Sequence, residues 1–122
     1  MAQSVLIADD DPDILSIVSL CLEAEGYLVH TAVNGREAVE MATAHHPDLI
    51  LMDMMMPELS GCEAAGALRA AACTRDIPIV GLSAKAMTAD LERAAAAGID
   101  GYITKPFRIA QVLAVVGSYL SG

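Results

Sequence analysis

The chain has 122 residues, 55% hydrophobic, 19% charged and 3% aromatic with no Trp, which fits one domain with an aliphatic core and excludes a disordered chain. The formal net charge of −9 argues against direct nucleic-acid binding, which requires a basic face. No apolar run is long enough to span a bilayer and no basic, cleavable leader opens the chain, so we expect a cytoplasmic protein without membrane contact.

Short apolar runs alternate with helical patterns from one end of the chain to the other. Apolar runs without polar breaks are typical of strands buried on both faces, and apolar residues at helical spacing predict the segments between them. In chain order we predict strand 5–8, helix 12–25, strand 27–32, helix 35–46, strand 49–52, helix 60–72, strand 77–82, helix 88–98, strand 102–104 and helix 108–120.

Residues that commonly begin a helix stand at the first three predicted helix starts, and Thr88 stands at the fourth. Asp11 precedes Pro12, and proline is favoured at the first helical position because its missing N–H costs no hydrogen bond there. Asn34 precedes the second helix, and Ser60 and Glu63 have capping-box spacing at the start of the third. These signals support the helices independently of the apolar pattern.

The regular alternation of strands and helices predicts an α/β fold. Helices of this length connect parallel strands by right-handed crossovers, so the five strands should form one doubly wound parallel sheet with five helices on its two faces. We expect residues 1–122 to form a single domain, with no effector domain in this chain.

Polar side chains follow four of the predicted strands. Asp9 and Asp10 follow the first strand, Asp53 the third, Ser83 the fourth and Lys105 the fifth. Ligands of open α/β sheets bind outside the carboxyl ends of the strands. We therefore predict a functional site at this edge of the sheet, with Lys105 as a fixed positive charge opposite Asp53.

Carboxylates gathered at one sheet edge repel each other unless a cation lies between them. Magnesium is typically held by one or two carboxylates, water and a phosphate group. Asp10 and Asp53, helped by Asp9 through water, fit this role, and the backbone carbonyl of Met55 is a further candidate ligand. The predicted cofactor is Mg²⁺, with Mn²⁺ as the alternative ion.

Ordinary structural explanations also exist for these residues. Most lysines are surface residues, and a serine at a strand end is commonly a turn or cap residue. The ordinary explanation is weakest for Asp53, because it ends a fully apolar strand, where a carboxylate without a partner would be costly. Asp53 is therefore the centre of the predicted site.

Four short motifs together resemble response-regulator receiver domains of two-component signalling. They are Asp9-Asp10 after the first strand, the run of residues 52–57 around Asp53, Ser83-Ala84 after the fourth strand and Lys105-Pro106-Phe107 after the fifth. Each motif is weak by itself, but all four in this order are highly specific, and the resemblance covers essentially the whole chain. It implies the flavodoxin-like strand order 2-1-3-4-5 and a cis Lys105–Pro106 peptide bond.

The resemblance also implies a role for each residue of the site. Asp53 would accept a phosphoryl group from a histidine kinase or a histidine phosphotransfer protein, while Asp9 and Asp10 hold the magnesium. Lys105 and Ser83 would contact phosphoryl oxygens. The chain would then be a phosphoacceptor that assists its own phosphorylation and slow dephosphorylation, and not an enzyme with a turnover reaction.

Signalling in such a domain would depend on Ser83 and Tyr102. When Ser83 moves toward the phosphoryl group it vacates space, and Tyr102 would rotate inward to fill it. The face made by the fourth helix, fifth strand and fifth helix would then change shape, to be read by a downstream protein or used in a phosphorylation-dependent homodimer. The ordinary explanation of Tyr102, a half-buried strand aromatic, remains the alternative.

Two positions that modulate loss of the phosphoryl group in the resembled family are Met55 and Lys85, which lie two residues beyond Asp53 and Ser83. Met55 cannot orient a hydrolytic water by hydrogen bonding. We therefore expect a long-lived phosphoaspartate.

Two related functions fail on the sequence, and a third remains open. A haloacid-dehalogenase-type phosphatase would need an aspartate in place of Met55, and an FMN binder would need a neutral phosphate loop after the first strand instead of aspartates. The remaining alternative is a phosphorylation-independent interaction module on the same fold.

Overall fold

The computed structural model describes residues 3–55, 61–84 and 98–120. The strands are β1 (Ser4–Ala8), β2 (Leu28–Ala32), β3 (Leu49–Asp53), β4 (Ile79–Ala84) and β5 (Gly101–Lys105). The helices within these ranges, numbered in chain order, are α1 (Pro12–Ala24), α2 (Gly35–His45), α3 (Gly61–Ala70) and α4 (Ile109–Leu120). The predicted helix 88–98, except for Gly98, lies outside the described residues, as do Ser60 and Lys85.

The five strands form one parallel sheet in the order β2-β1-β3-β4-β5, as predicted. The pairing register aligns the strand ends, since Ala8 lies opposite Met52 and Ala84 lies opposite Lys105. The residues that end or follow β1, β3 and β5 therefore meet at one edge of the sheet. No helix among the described residues is long and apolar enough to cross a membrane.

Each face of the sheet carries its own aliphatic layer, because successive strand residues point to opposite sides. The layer under α1 and α4 contains Val5, Ile7, Leu15, Val18, Leu22, Leu49, Leu51, Val80, Leu82, Ile103, Val112, Val116 and Leu120. The layer under α2 and α3 contains Leu6, Ile50, Met52, Met54, Leu68 and Ile79 together with several alanines.

The predicted helix caps are present in the first two helices. The Asp11 side chain accepts a hydrogen bond from the backbone N–H of Asp13 at 2.9 Å, and Asn34 accepts one from the N–H of Glu37 at 2.7 Å. Gly26 follows the end of α1 with a φ of +95°, a conformation that glycine adopts without steric cost.

Both boundaries of the predicted strand 77–82 and the end of the helix before it differ from the prediction, and the strand runs to Ala84. The strand begins at Ile79 and not at residue 77, because Pro78 has no N–H to donate to a neighbouring strand. Helix α3 ends at Ala70 and not at residue 72, because the buried Thr74 hydroxyl donates to the carbonyl of Leu68 at 2.7 Å and closes a turn there.

Candidate functional site

A lysine and two buried carboxylates meet at the carboxyl edge of the sheet. The ammonium nitrogen Nζ of Lys105 donates to Oδ2 of Asp9 at 2.9 Å and to Oδ2 of Asp53 at 3.0 Å. Asp9 is 0% exposed and Asp53 is 5% exposed. The contact of Lys105 with Asp53 follows from the strand order. The burial of Asp9 and its direct contact with Lys105 could not be predicted from the sequence.

The second oxygen of each buried carboxylate binds a backbone N–H two residues further along the chain. Oδ1 of Asp9 accepts from the N–H of Asp11, and Oδ1 of Asp53 accepts from the N–H of Met55, both at 2.9 Å. Each carboxylate is thus held by one ammonium contact and one local turn. This arrangement fixes the orientation of both side chains before any ligand arrives.

The electrostatics of the cluster leave Lys105 charged. Burial alone would lower the pKa of Lys105, but its hydrogen bonds to Asp9 and Asp53 and their negative charges raise that pKa above 10.5. Burial raises the pKa of Asp9 above 3.8, and the charge of Asp53 adds to it, against the lowering effect of the Asp11 N–H and of Lys105. The positive charge of Lys105 therefore offsets only part of the negative charge of the carboxylates.

A third carboxylate, that of Asp10, completes the cluster from the solvent side. One carboxylate oxygen from each of Asp9, Asp10 and Asp53 lies within 4.8 Å of the others, and Asp10 is exposed. Among the described residues this is the one group of acidic, histidine or cysteine side chains with such spacing. Carboxylate oxygens are the ligands that Mg²⁺ prefers, so the donor set fits the predicted ion.

The other predicted site residues lie around this cluster without joining it. Ser83 is 3% exposed and is part of β4, not of the loop after it. Met55 is 66% exposed beside the site. Tyr102 is half-buried and packs on the layer under α2 and α3.

An apolar cleft of about 440 Å³ adjoins the cluster and is lined by Ile14, Lys105, Pro106 and Phe107. The Lys105–Pro106 peptide bond is cis, as predicted. The edge of the sheet thus combines a charged cluster with an apolar cleft beside it.

Comparison with known proteins assigns the family. The sequence profile of the response regulator receiver domain matches residues 5–117. The polar-differentiation response regulator DivK of Brucella ovis is 38% identical over 120 residues, which cover 98% of both chains. These matches confirm the resemblance on which the sequence-based prediction depended.

Solved structures agree with this assignment. The chemotaxis response regulator CheY4 of Vibrio cholerae has a TM-score of 0.92 and 32% identity, covering 98% of this chain and 100% of that chain. The receiver domain of the sensor histidine kinase PA1611 from Pseudomonas aeruginosa PAO1 has a TM-score of 0.90 and 31% identity, and the match covers 100% of both chains. That structure has a magnesium ion coordinated in its active-site cleft. The chain therefore belongs to the family of response regulator receiver domains, which act in two-component signal transduction.

Proposed function

We propose that this receiver accepts a phosphoryl group on Asp53, in a magnesium-dependent reaction, from a histidine kinase or a histidine phosphotransfer protein. The observation that carries the proposal is the state of Asp53, a 5% exposed carboxylate held by Lys105 Nζ at 3.0 Å and the Met55 N–H at 2.9 Å. The burial of this carboxylate would be costly without those partners.

In the proposed transfer, a carboxylate oxygen of Asp53 forms a bond to phosphorus while the N–P bond of a phosphohistidine breaks. The electron pair of the broken bond stays on the imidazole nitrogen. Lys105 keeps a positive charge next to Asp53 and offsets the charge of the incoming oxygens. Because both side chains are already oriented, little reorganisation is needed when the donor arrives.

Asp9, Asp10 and Asp53 are the residues that would hold the magnesium, with the backbone carbonyl of Met55 as a further ligand. The support is the 4.8 Å cluster of carboxylate oxygens, which has one lysine against three acidic groups. When bound, the ion would neutralise charge on the transferring phosphoryl group. Mn²⁺, which accepts the same oxygen ligands, is the alternative.

We further propose that the phosphoryl group is read through Ser83, whose hydroxyl would donate to one of its oxygens, and by a downstream protein partner. The chain would act as a phosphoacceptor that assists its own reaction, without turnover of a substrate. The side chain of the exposed Met55 offers no hydrogen bond to orient an attacking water. We therefore expect slow hydrolysis of the phosphoaspartate. Lys85 is the second position proposed to modulate this hydrolysis. A half-life of only seconds in the purified protein would contradict this expectation.

Incubation with acetyl phosphate and magnesium, followed by intact-mass measurement, tests the proposal. We expect a gain of one phosphoryl group that is lost in Asp53→Asn and in the presence of a chelator. Asp76→Asn, which changes an exposed acid elsewhere, is the matched control and should be phosphorylated like the unaltered chain. No mass gain in the unaltered chain would instead favour a phosphorylation-independent interaction module.

A further inference from the structure

Gly81 in the middle of β4 lies directly opposite Tyr102 in β5. A Cβ atom placed on Gly81 would lie 3.1 Å from Cδ1 and 3.2 Å from Cε1 of Tyr102. These distances are shorter than the 3.5–4.0 Å or so of a comfortable carbon–carbon contact. The edge of the Tyr102 ring therefore lies over β4, in space that any other residue at position 81 would fill with its own side chain.

Met54 reaches the same space from the neighbouring strand. Its Sδ atom would lie 2.8 Å from the Cβ of a residue at position 81, and the Met54 side chain is 4% exposed. The backbone N–H of Met54 donates to the carbonyl of Leu82 at 3.0 Å, which ties this residue to β4. Met54 and Tyr102 together therefore cover Gly81.

The space under the ring comes from the missing side chain of Gly81. Ser83 lies two residues further along β4 and, by the alternation of a strand, on the same side as Gly81. In the switch predicted from the sequence, Tyr102 turns inward only after Ser83 has vacated its place. Here the ring already lies over Gly81 while Ser83 is buried within β4.

We propose that Gly81 is a positioning residue that seats Tyr102 over β4, so that the inward arrangement of this side chain does not wait for phosphorylation of Asp53. The second half of this proposal rests on the proposed function of Asp53, whereas the first half does not. In consequence, the surface of β5 around Tyr102 has the same shape with and without the phosphoryl group. A partner that reads phosphorylation would then contact Lys105 and the phosphoryl group itself.

Fluorine NMR of protein labelled with 3-fluorotyrosine measures the burial of each tyrosine through its H₂O/D₂O isotope shift. The chain has three tyrosines and no Trp, and loss of one resonance in Tyr102→Phe assigns the signal. For the unaltered chain we expect the same Tyr102 burial before and after acetyl phosphate and magnesium, with the phosphoryl gain checked by mass on the same samples. Increased Tyr102 burial on phosphorylation would overturn the proposal.

Substitutions at position 81 test whether Gly81 positions Tyr102, and they need no phosphorylation. Gly81→Val should expose Tyr102, and Gly81→Ala should shift its resonance by a smaller amount. Because Met54 Sδ is the nearest obstacle to the new Cβ, Met54→Ala combined with Gly81→Ala should restore at least part of the Tyr102 burial. This rescue would not follow from a general loss of stability.

Gly66→Ala in α3 is the matched control, since a Cβ there meets nothing within 4 Å. It should leave the Tyr102 signal unchanged. An unchanged Tyr102 signal in the Gly81 variants, or an equal change in Gly66→Ala, would overturn the proposal that Gly81 positions Tyr102. Should Gly81→Val fail to fold, Gly81→Ala and its double variant decide the question. A missing mass gain would refute the proposed function alone, because the position-81 comparison needs no phosphorylation.

Discussion

Arg69 donates to the carbonyl oxygen of Gly98 from Nε at 3.0 Å and from a terminal guanidinium nitrogen at 2.8 Å. Gly98 has a φ of +97°, and a Cβ there would lie 2.7 Å from Cγ and 2.8 Å from Nε of Arg69. The other Arg69 donors bind the carbonyls of Arg75 and Ile77, at 2.5 and 2.6 Å, and Asp100 at 2.6 Å. One side chain from α3 thus joins the segments that precede β4 and β5.

Replacing Arg69 should lower the free energy of unfolding substantially. Arg69→Met leaves three carbonyl oxygens and the Asp100 carboxylate without a charged donor, which we expect to cost about 2–4 kcal/mol. Urea denaturation followed by circular dichroism measures the change. Arg69→Lys should recover little, because an ammonium cannot reproduce the planar fork. Arg36→Met on the exposed side of α2 is the control, with a change within about 0.5 kcal/mol.

Substitution of Gly98 should also destabilise the fold, because Gly98 is the partner of Arg69 in this contact. Gly98→Ala combines a left-handed backbone with a Cβ that collides with Arg69, and we expect a loss of about 1–3 kcal/mol. Gly117→Ala in α4, where a Cβ meets nothing within 4 Å, should instead stabilise by about 0.5–1 kcal/mol. Equal stabilisation by both alanines in urea denaturation would contradict this account of Gly98.

Removal of Lys105 should both destabilise the chain and slow its phosphorylation. Lys105→Met leaves the buried carboxylates of Asp9 and Asp53 without their shared ammonium group, at a cost of about 2–4 kcal/mol in the absence of magnesium. Because a divalent cation would then be the main compensating charge, magnesium should stabilise this variant more than the unaltered chain. Thermal melts with and without magnesium, and the rate of mass gain with acetyl phosphate, measure the two effects.

Magnesium should raise the melting temperature of the unaltered chain. At a magnesium concentration about ten times Kd the stabilisation is about 1.4 kcal/mol, or roughly 4–8 °C for a domain of this size. Asp10→Asn removes the exposed ligand of the carboxylate cluster and should blunt the shift. Asp76→Asn should not change it. A melting curve that is insensitive to millimolar magnesium would count against the site.

The stability of the chain should fall in mildly acidic solution because of His30. Its ring stacks on that of His45, with centroids 4.2 Å apart and an interplanar angle of 11°. Burial, with a contribution from His45, lowers the pKa of His30 below 6.5. The unfolded chain therefore binds more protons between the two pKa values, and stability is lost as the pH falls below about 6.5 and through the folded pKa.

Urea midpoints at pH 7.5 and pH 5.5 measure this dependence. His30→Gln should show a smaller loss between the two conditions than the unaltered chain. His46→Asn is the control, since His46 is exposed with a φ of 48°, a conformation that asparagine tolerates. It should keep the full loss. The same loss in all three proteins would assign the pH dependence to other groups.

The contact between Lys105 and Asp53 could be predicted because it depends on short-range patterns. Each residue ends a strand, and parallel strands in a doubly wound sheet bring their carboxyl ends to one edge. The predicted start of β4 was wrong by two residues, and the reason is equally local, because Pro78 has no N–H. Local chemistry thus accounts for both the success and the error.

Other contacts of the molecule could not be predicted, because they join residues whose side chains meet only after packing. Nothing in the sequence pairs Arg69 with Gly98 or His30 with His45. The complete burial of Asp9 and its contact with Lys105 likewise arise only in the folded chain. Such contacts depend on distances between elements, and those distances are set by the volumes of the two aliphatic layers.

The sequence by itself determined the family, the sheet and the edge at which the acidic groups and Lys105 collect, since strand alternation and strand ends are properties of the chain. The tertiary structure decided the state of each group at that edge. It buried Asp9, left Asp10 exposed and oriented Asp53 between Lys105 and the Met55 N–H. Burial and hydrogen bonding are three-dimensional quantities, and they control the charge and orientation on which a phosphoryl acceptor depends.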